Sequence, residues 1–324
     1  MVGSVIVHNE TIIGEGFTSP YGGSHAEVNA ISSVKDKTLL SQSVMYVTLE
    51  PCSHYGKTPP CVNLILEHQI PKVVIGIQDP HDKVAGKGIQ KLREAGCEVI
   101  LGVLEAECRW HHRRFLSFQE KKRPHIILKW AETQDGFIAP TSDSRSNNPE
   151  PYWITNTNSR QLVHQWRSEE HAILVGTRTV LEDNPKLNVR KWKGSNPIRV
   201  VIDKDLKIPQ QYNVFDPEVK TIVMTAVADS SKYVKTADYE AIDFTENLVQ
   251  QICEVLHRHS INSLIVEGGT HTLQSFIDAG IWDEARIFKG PQTFGQGLPS
   301  PIISGKSISE QKILSDTLTL LTHD

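Results

Sequence analysis

The sequence lacks long apolar runs, an excess of basic charge and a disulfide-rich composition. Its longest apolar stretches, such as Val73–Ile77, have the length of a strand, so we expect no membrane span. The formal net charge of −4 gives no electrostatic attraction for nucleic acid. Five cysteines, an odd number, fit a reducing compartment better than a disulfide framework. We therefore expect a cytoplasmic protein with neither a membrane nor a nucleic-acid partner.

Internal repeats, low-complexity tracts and a basic leader are also missing from the sequence. The first residues carry no charged segment followed by a cleavage site, so we expect no signal peptide. A chain of 324 residues exceeds the size of most single hydrophobic cores, which predicts about two domains. The sequence therefore describes an ordinary globular protein with two separate cores.

A histidine and two cysteines carry the clearest chemical pattern. His25, Cys52 and Cys61 offer one imidazole and two thiolates, which suit Zn²⁺ with a fourth position open for water. Glu27 follows His25 closely enough to move a proton from that water to a leaving amine. The H-x-E…P-C pattern is typical of zinc nucleobase deaminases. Residues 53–60 form a loop in place of that class's tight turn, and its hydroxyls, imidazole and lysine suit a small phosphorylated substrate.

Each part of this pattern has a simpler explanation. All five cysteines could be buried thiols, as we expect for Cys97, Cys108 and Cys253. Ser24 could cap a helix, and Glu27 then stands at the capping-box spacing. The cysteines downstream of the histidine favour the zinc site, because a capping box does not require them.

Hydrophobic patterning predicts an α/β fold for both halves of the chain. Residues 2–101 have the order β-β-α-β-α-β-α-β, which predicts a three-layer domain with zinc ligands at the starts of two neighbouring helices. One helix over residues 104–119 closes this domain. A charged run ending at Pro124 predicts a linker, so we place the domains at 1–123 and 124–324. Alternating strands and helices in the second domain predict a largely parallel sheet.

The second domain carries a weaker pattern. The run Glu267-Gly-Gly-Thr270 joins an apolar strand to a helix start, where backbone N–H groups can hold a phosphate. It is not the G-x-G-x-x-G pattern and could be a plain tight turn. Residues 128–136 and 177–190 place further charged groups after strands, although each taken alone is typical of a solvated loop.

Taken together, these motifs resemble the bifunctional deaminase–reductase family of riboflavin biosynthesis. The resemblance covers essentially the whole chain, and its motifs stand in the family's order: His25–Glu27, Thr48–Cys61, Gln78–Pro80, Val84–Gly88, Leu128–Gly136, Trp153–Thr155, Val175–Arg190 and Val266–Gly269. It implies a cytidine-deaminase-like domain followed by an α/β domain similar to dihydrofolate reductase. The implied reactions are zinc-dependent removal of the 2-amino group from a diamino-(phosphoribosylamino)pyrimidinone and NADPH-dependent reduction of its ribosyl chain.

The resemblance also implies roles for individual residues. Zn²⁺ would be bound by His25, Cys52 and Cys61, with Glu27 as the proton shuttle. The deaminase substrate pocket would contain His54, Lys57, Asp79 and His81, where His81 departs from an expected asparagine. NADPH would contact Ala131, Trp153, Thr179, Asp183, Gly269 and Thr270. The reductase substrate would contact Lys129, Arg167, Leu187, Arg190 and Glu267, since arginine suits its phosphate.

The start of the sequence departs from the family. The family has a helix and a Pro-Asn-Pro turn, with a substrate-contacting asparagine, before the strand on which Met1 opens this sequence. Either the start is misassigned or truncated, or this deaminase is impaired. For the sequence as it stands we expect normal reduction, poor deamination, and an exposed strand, Val2–Val7, that pairs with another chain. We also expect a homo-oligomer.

Three alternatives to a bifunctional enzyme stay open at this point. The chain could be a reductase alone, with a deaminase domain impaired by the missing helix. It could be a nucleic-acid-editing deaminase with an accessory domain, although its acidic net charge opposes this. It could also be a zinc scaffold without activity, although three protein ligands are typical of catalytic sites.

Overall fold

The computed structural model describes residues 1–20, 22–55, 59–81, 84–141 and 149–323. Backbone contacts divide the chain into two compact units, Met1–Lys121 and Lys122–Asp324. Within the described ranges, no helix is both long enough and apolar enough to cross a bilayer. The first unit has a five-stranded sheet, whereas the second has a nine-stranded sheet, a two-stranded sheet (Phe137–Pro140 with Gly297–Pro299) and a hydrophobic core on each face of the larger one.

The first unit contains one mixed sheet with the strand order β2-β1-β3-β4-β5. Its elements are β1 (Gly3–His8), β2 (Thr11–Phe17), α1 (Ala26–Ser33), β3 (Val44–Leu49), α2 (Cys61–Glu67), β4 (Lys72–Ile77), α3 (Lys87–Glu94), β5 (Glu98–Leu101), α4 (Glu105–His111) and α5 (Arg113–Glu120). The pairs β3–β4 and β4–β5 are parallel, whereas β1 is antiparallel to both β2 and β3.

Helices cover both faces of this sheet, as the sequence predicts. On one face, Ile6, Met45 and Ile75 are fully buried in a core that also includes side chains of α1, α2 and α3. On the other face, Cys108 of α4 lies so close to Gly76 that a Cβ there would stand 2.3 Å from its sulfur. The three-layer α/β prediction is confirmed.

Two sequence predictions for this unit are wrong. Residues 2–7 do not form an exposed pairing edge, because β1 is hydrogen-bonded to a strand on each side. Residues 104–119 do not form one helix, because the chain leaves helical geometry at His112 (φ −91°, ψ 8°). His112 is buried, and its Nε2 lies 2.9 Å from Thr48 Oγ1. This tertiary contact interrupts the helix between α4 and α5.

The second unit contains a nine-stranded sheet with the order β11-β10-β9-β8-β12-β6-β13-β16-β15. Its elements are β6 (His125–Glu132), β7 (Phe137–Pro140), α6 (Thr157–Glu169), β8 (Ala172–Gly176), α7 (Thr177–Asp183), β9 (Ile198–Ile202), β10 (Thr221–Thr225), β11 (Ala237–Ala241), α8 (Leu248–Arg258), β12 (Ser263–Val266), α9 (Thr270–Asp278), β13 (Glu284–Lys289), β14 (Gly297–Pro299), β15 (Lys306–Ile313) and β16 (Asp316–Thr322). The strands from β11 to β13 are parallel, and β16 and β15 complete the sheet antiparallel.

Alternating side chains of the second sheet enter two cores. Ile126 and Leu128 of β6 join a core with α8 and α9, while Ile127 joins a core with α6 and α7. Both β10 and β12 are buried throughout, as expected for parallel strands covered on two faces. The region after β8 begins with a helix and not with a solvated loop, because Val180 of α7 packs fully buried against the sheet.

We expect Phe276→Ala to lower the free energy of unfolding of the second unit by about 3–5 kcal/mol. Phe276 is 1% exposed in the core beneath α9, and its removal leaves a cavity. Denaturant titration followed by tryptophan fluorescence measures this, because every tryptophan except Trp110 lies in the second unit.

The control is Ile302→Ala, since Ile302 is 84% exposed. This change should alter stability by no more than about 0.5 kcal/mol. Equal effects of the two substitutions would show that the core beneath α9 does not hold the unit together.

Candidate functional site

The first unit gathers a histidine and two cysteines at one end of its sheet. His25 is the residue just before α1, Cys61 is the first residue of α2, and Cys52 follows β3 in the connecting loop. His25 Nδ1 lies 3.5 Å from Cys52 Sγ and 3.3 Å from Cys61 Sγ. The sequence places all three ligands near helix starts, which is correct for His25 and Cys61, whereas Cys52 lies in the loop.

The donor set fits a zinc ion. The three ligand atoms lie within 4.8 Å of one another, and two ligands of one tetrahedral zinc are typically about 3.5 Å apart. The Cys61 backbone N–H donates to Cys52 Sγ (3.3 Å), which favours a thiolate. The hydrogen bond from the Cys61 thiol lowers the pKa of Cys52 to about 5, and the same interaction raises the pKa of Cys61. The protein itself therefore favours the thiolate form of Cys52 over its thiol form.

Glu27 lies buried beside these donors. It is 4% exposed, and a hydrogen bond links its carboxyl group to the Cys61 side chain. Burial raises the pKa of Glu27 to about 7. The capping-box alternative is wrong, because α1 is preceded by His25 with no side-chain cap, and Ser24 does not fill that position. The buried carboxyl is thus available for proton transfer.

Three of the four residues predicted to line the deaminase pocket fall in the described ranges. Asp79 is 9% exposed and accepts a hydrogen bond from the His81 N–H (2.8 Å). Burial raises the pKa of Asp79, and the nearby His81 and His54 oppose that rise. Asp79 therefore contacts His81, and His54 is close enough to act on its charge. Lys57 lies outside the described residues.

The second unit contains a cavity of about 530 Å³ at the carboxyl ends of its parallel strands. Of the residues predicted to contact cofactor or substrate, all but Thr270 line it: Lys129, Ala131, Trp153, Arg167, Thr179, Asp183, Leu187, Arg190, Glu267 and Gly269. The Thr270 hydroxyl donates to the Pro299 carbonyl instead.

A largely buried cluster of one carboxylate and two cations lies in this cavity. Glu267 accepts a bidentate interaction from Arg167 (Nη2–Oε2 2.7 Å, Nε–Oε1 3.3 Å), and Lys129 Nζ lies 3.9 Å from its Oε1. Burial alone would raise the pKa of Glu267, but Arg167 and Lys129 outweigh it and hold the pKa at about 2. Burial lowers the pKa of Lys129. The carboxylate therefore orients two cations toward the cavity.

The double-glycine turn between β12 and α9 forms one wall of the cavity. The Gly269 N–H donates to Thr179 Oγ1 (3.1 Å), which joins this turn to α7. A Cβ on Gly268 would lie 2.8 Å from the Thr272 Cβ, so the turn packs too closely for a side chain. The free N–H groups at the start of α9 suit an anionic ligand.

His164 is a cavity residue that the sequence reasoning missed. It is buried on α6, and its Nδ1 accepts a hydrogen bond from the Arg190 N–H (3.3 Å). Burial, with Arg167 and Arg190 adding to it, lowers its pKa to about 4. His164 stands three residues before Arg167, a spacing that puts both on one helix face, and this signal was available in the sequence.

Comparisons with known proteins give the family of this chain. Residues 124–322 match the RibD C-terminal domain family, and residues 1–77 match the cytidine and deoxycytidylate deaminase zinc-binding region. The chain belongs to the RibD family. The riboflavin biosynthesis protein RibD of Aquifex aeolicus is 36% identical over 95% of this chain and 85% of its own length. That of Bacillus amyloliquefaciens is 37% identical over 96% and 84%.

Solved structures extend this likeness to the fold. A diaminohydroxyphosphoribosylaminopyrimidine deaminase/5-amino-6-(5-phosphoribosylamino)uracil reductase from Thermotoga maritima has a TM-score of 0.89 and 36% identity, over 100% of this chain and 92% of that one. Acinetobacter baumannii RibD has a TM-score of 0.86 at 30% identity, over 99% and 91%. As a RibD family member, the chain is a zinc-dependent deaminase and an NADPH-dependent reductase. Matches across both units do not favour the reductase-only alternative.

We expect the stability of the second unit to fall as the pH drops from 6.5 toward 4, partly through His164. Its pKa is lower in the folded chain, about 4, than the value near 6.5 expected when unfolded, so the unfolded state binds more protons in this window. Replacing it in His164→Gln should remove about 3 kcal/mol of this pH dependence. Denaturant titrations at several pH values measure it.

The control for this test is His271→Gln, at an exposed position on α9. It should leave the pH dependence of stability unchanged. A His164→Gln protein with the wild-type pH dependence would show that the ring is not kept neutral by its surroundings.

Proposed function

We propose that this chain catalyses two consecutive steps on one pyrimidine. The first is hydrolytic deamination of 2,5-diamino-6-(5-phosphoribosylamino)pyrimidin-4-one. The second is reduction of the ribosyl chain to give 5-amino-6-(5-phosphoribitylamino)uracil. The observation that carries the proposal is the presence, in one chain, of a His-Cys-Cys donor set beside a buried glutamate and of a separate cation-rich cavity.

We assign deamination to residues 1–123. His25, Cys52 and Cys61 would hold Zn²⁺, which when bound supplies a Lewis acid that activates water. Glu27 takes a proton from the nucleophile at its carboxylate and delivers it to the departing amine, a role that its burial beside Cys61 supports. Asp79, His81 and His54 bind the pyrimidine and its substituents, and we extend this role to Lys57.

We assign reduction to residues 124–324, with NADPH supplying the hydride when bound. Five cationic side chains and three carboxylates line the cavity, so its charge favours a phosphorylated ligand. Arg167 is held by Glu267, whereas Arg190 reaches the cavity from an exposed loop and donates to Asn188 Oδ1 (2.6 Å). We propose that Arg190 binds the substrate phosphate, and that Lys129 and Glu267 orient the sugar chain.

The proposed nicotinamide cofactor contacts are Ala131, Trp153, Thr179, Asp183 and Gly269, with Thr270 as a backbone contact. Leu187, buried with a left-handed backbone (φ 54°), packs at the substrate side.

Five free cysteines are consistent with the cytoplasm as the proposed compartment. A homo-oligomer stays a prediction, which sedimentation equilibrium tests directly.

We expect Glu27→Ala to retain about one zinc per chain and to lose ammonia release, because it removes proton transfer but no ligand. Metal analysis and an ammonia assay measure the two quantities. The same variant should still oxidise NADPH on the deaminated substrate, because the two sites lie in separate units. Loss of zinc would show a structural role for Glu27, and loss of reduction would show that the units do not act independently.

We expect Arg190→Gln to raise the KM for the phosphorylated substrate at least about tenfold with a smaller change in kcat, since a charge-assisted contact is removed. Steady-state reductase kinetics measure this. Lys193→Gln, a neutral substitution at an exposed position of the same loop, is the control and should leave KM unchanged. Equal effects of both would point to overall charge instead of a specific contact.

A further inference from the structure

A buried carboxylate outside the assigned residues connects the two halves of the deaminase site. Glu50 follows β3 directly, two residues before Cys52, and is 3% exposed. Its Oε2 accepts from the N–H groups of Asp79 (3.2 Å) and Gly86 (3.0 Å). Its Oε1 accepts from Gly88 (2.9 Å) and Ile89 (3.2 Å). One side chain thus satisfies four backbone donors.

The four donors belong to two segments, one after β4 and one at the start of α3. Asp79 follows β4, and its own carboxylate accepts from the His81 N–H (2.8 Å). Gly88 and Ile89 lie in the first turn of α3, where backbone N–H groups have no partner within the helix. Glu50 is therefore bound at once to the start of a helix and to the segment that carries Asp79.

Close packing shows that this arrangement leaves little room for variation. A Cβ on Gly88 would lie 2.2 Å from the Pro51 carbonyl oxygen and 3.0 Å from Glu50 Oε1. The start of α3 is thus pressed against the chain that leads from β3 to Cys52. The β3–β4 pairing ends with the Glu50 N–H donating to the Ile77 carbonyl (2.9 Å). Beyond that pairing, the Glu50 carboxylate joins the Cys52 segment to Asp79.

We propose that Glu50 is a positioning residue for deamination, which holds the segment of Asp79 and His81 in register with Cys52. The inference rests on the proposed deaminase function of the first unit. Glu50 acts through the backbone and not on the substrate. A hydrogen bond from an N–H group to a carboxylate is stronger than one between two neutral groups. Replacing the Glu50 carboxylate therefore weakens the attachment of this segment.

The test is Glu50→Gln in the full chain. Glutamine has nearly the same volume, but its amide nitrogen is a donor and cannot accept from the two N–H groups that face it. We expect KM for the diaminopyrimidine substrate to rise at least about tenfold, with a smaller change in kcat. Zinc content should stay at the wild-type level, because His25 and Cys61 are held by other elements.

Hydrogen exchange provides a readout that does not depend on activity. The amides of Asp79, Gly86, Gly88 and Ile89 should exchange faster in Glu50→Gln than in the wild type, while amides in the second unit should not change. The control is Asp203→Asn, because Asp203 is also buried and accepts from the N–H groups of Lys207 and Ile208, but in the second unit. It should leave deaminase KM unchanged.

A second variant covers the case in which Glu50→Gln does not fold. Gly88→Ala keeps the carboxylate but pushes α3 away from it, so it should raise the same KM. Unchanged KM or unchanged exchange in the folded variant would overturn the proposal. Loss of zinc from Glu50→Gln would also overturn it, since Glu50 would then position the zinc ligand Cys52 itself.

Wild-type kinetics separate this inference from the proposed function. If the wild type releases no ammonia from the diaminopyrimidine, the proposed deamination is wrong, and the exchange data still decide whether Glu50 holds the segment. If the wild type deaminates but both variants have normal KM, only the role of Glu50 is wrong.

Discussion

Parallel strand pairing determines where the chemistry of this chain can occur. A parallel connection returns through a helix, so the carboxyl ends of neighbouring strands and the starts of helices meet at one edge of the sheet. In the first unit, β3 and β4 lead to Cys52 and Asp79 at such an edge. In the second unit, β6 and β12 deliver Lys129 and Glu267 in the same way. Residues far apart in sequence therefore converge while their strands stay regular.

The two sites give a largely buried glutamate opposite protonation behaviour. Burial raises the pKa of Glu27 to about 7, so this carboxyl can both accept and release a proton near neutral pH. The Glu267 side chain is only 10% exposed, but two cations hold its pKa at about 2 and it stays ionised. One residue type thus provides a proton carrier in one unit and a fixed negative charge in the other, and the difference comes from the neighbouring charges. Burying such charges costs several kcal/mol unless they are paired, which explains the close contact of Arg167.

The sequence predicts the metal-binding residues better than it predicts the residues around them that hold the site in place. His25, Cys52 and Cys61 form a recognisable pattern because their spacing is tied to local turns and helix starts. The contribution of Glu50 is invisible at that level, because its partners are backbone N–H groups that have no sequence signature. His164 differs, because its spacing from Arg167 is visible in the sequence, but one histidine on a helix is more often an ordinary core residue.

Secondary structure was predictable where burial is regular. The apolar runs of β10 and β12 indicate buried parallel strands, and the structure has them. In contrast, β15 is exposed along almost its whole length, so no alternation of polar and apolar residues identifies it as a strand. The break at His112 also escapes prediction, since it follows from a contact with Thr48, far away in the chain.

The division of the chain after Lys121 has a consequence for the supply of enzyme in the cell. Two compact units that share one polypeptide are always synthesised in equal numbers, whatever the rate of translation. Neither activity can then accumulate without the other, so the capacity to consume the deaminated compound rises and falls with the capacity to make it. A covalent link between two units is enough to fix this ratio, and it requires no contact surface between them.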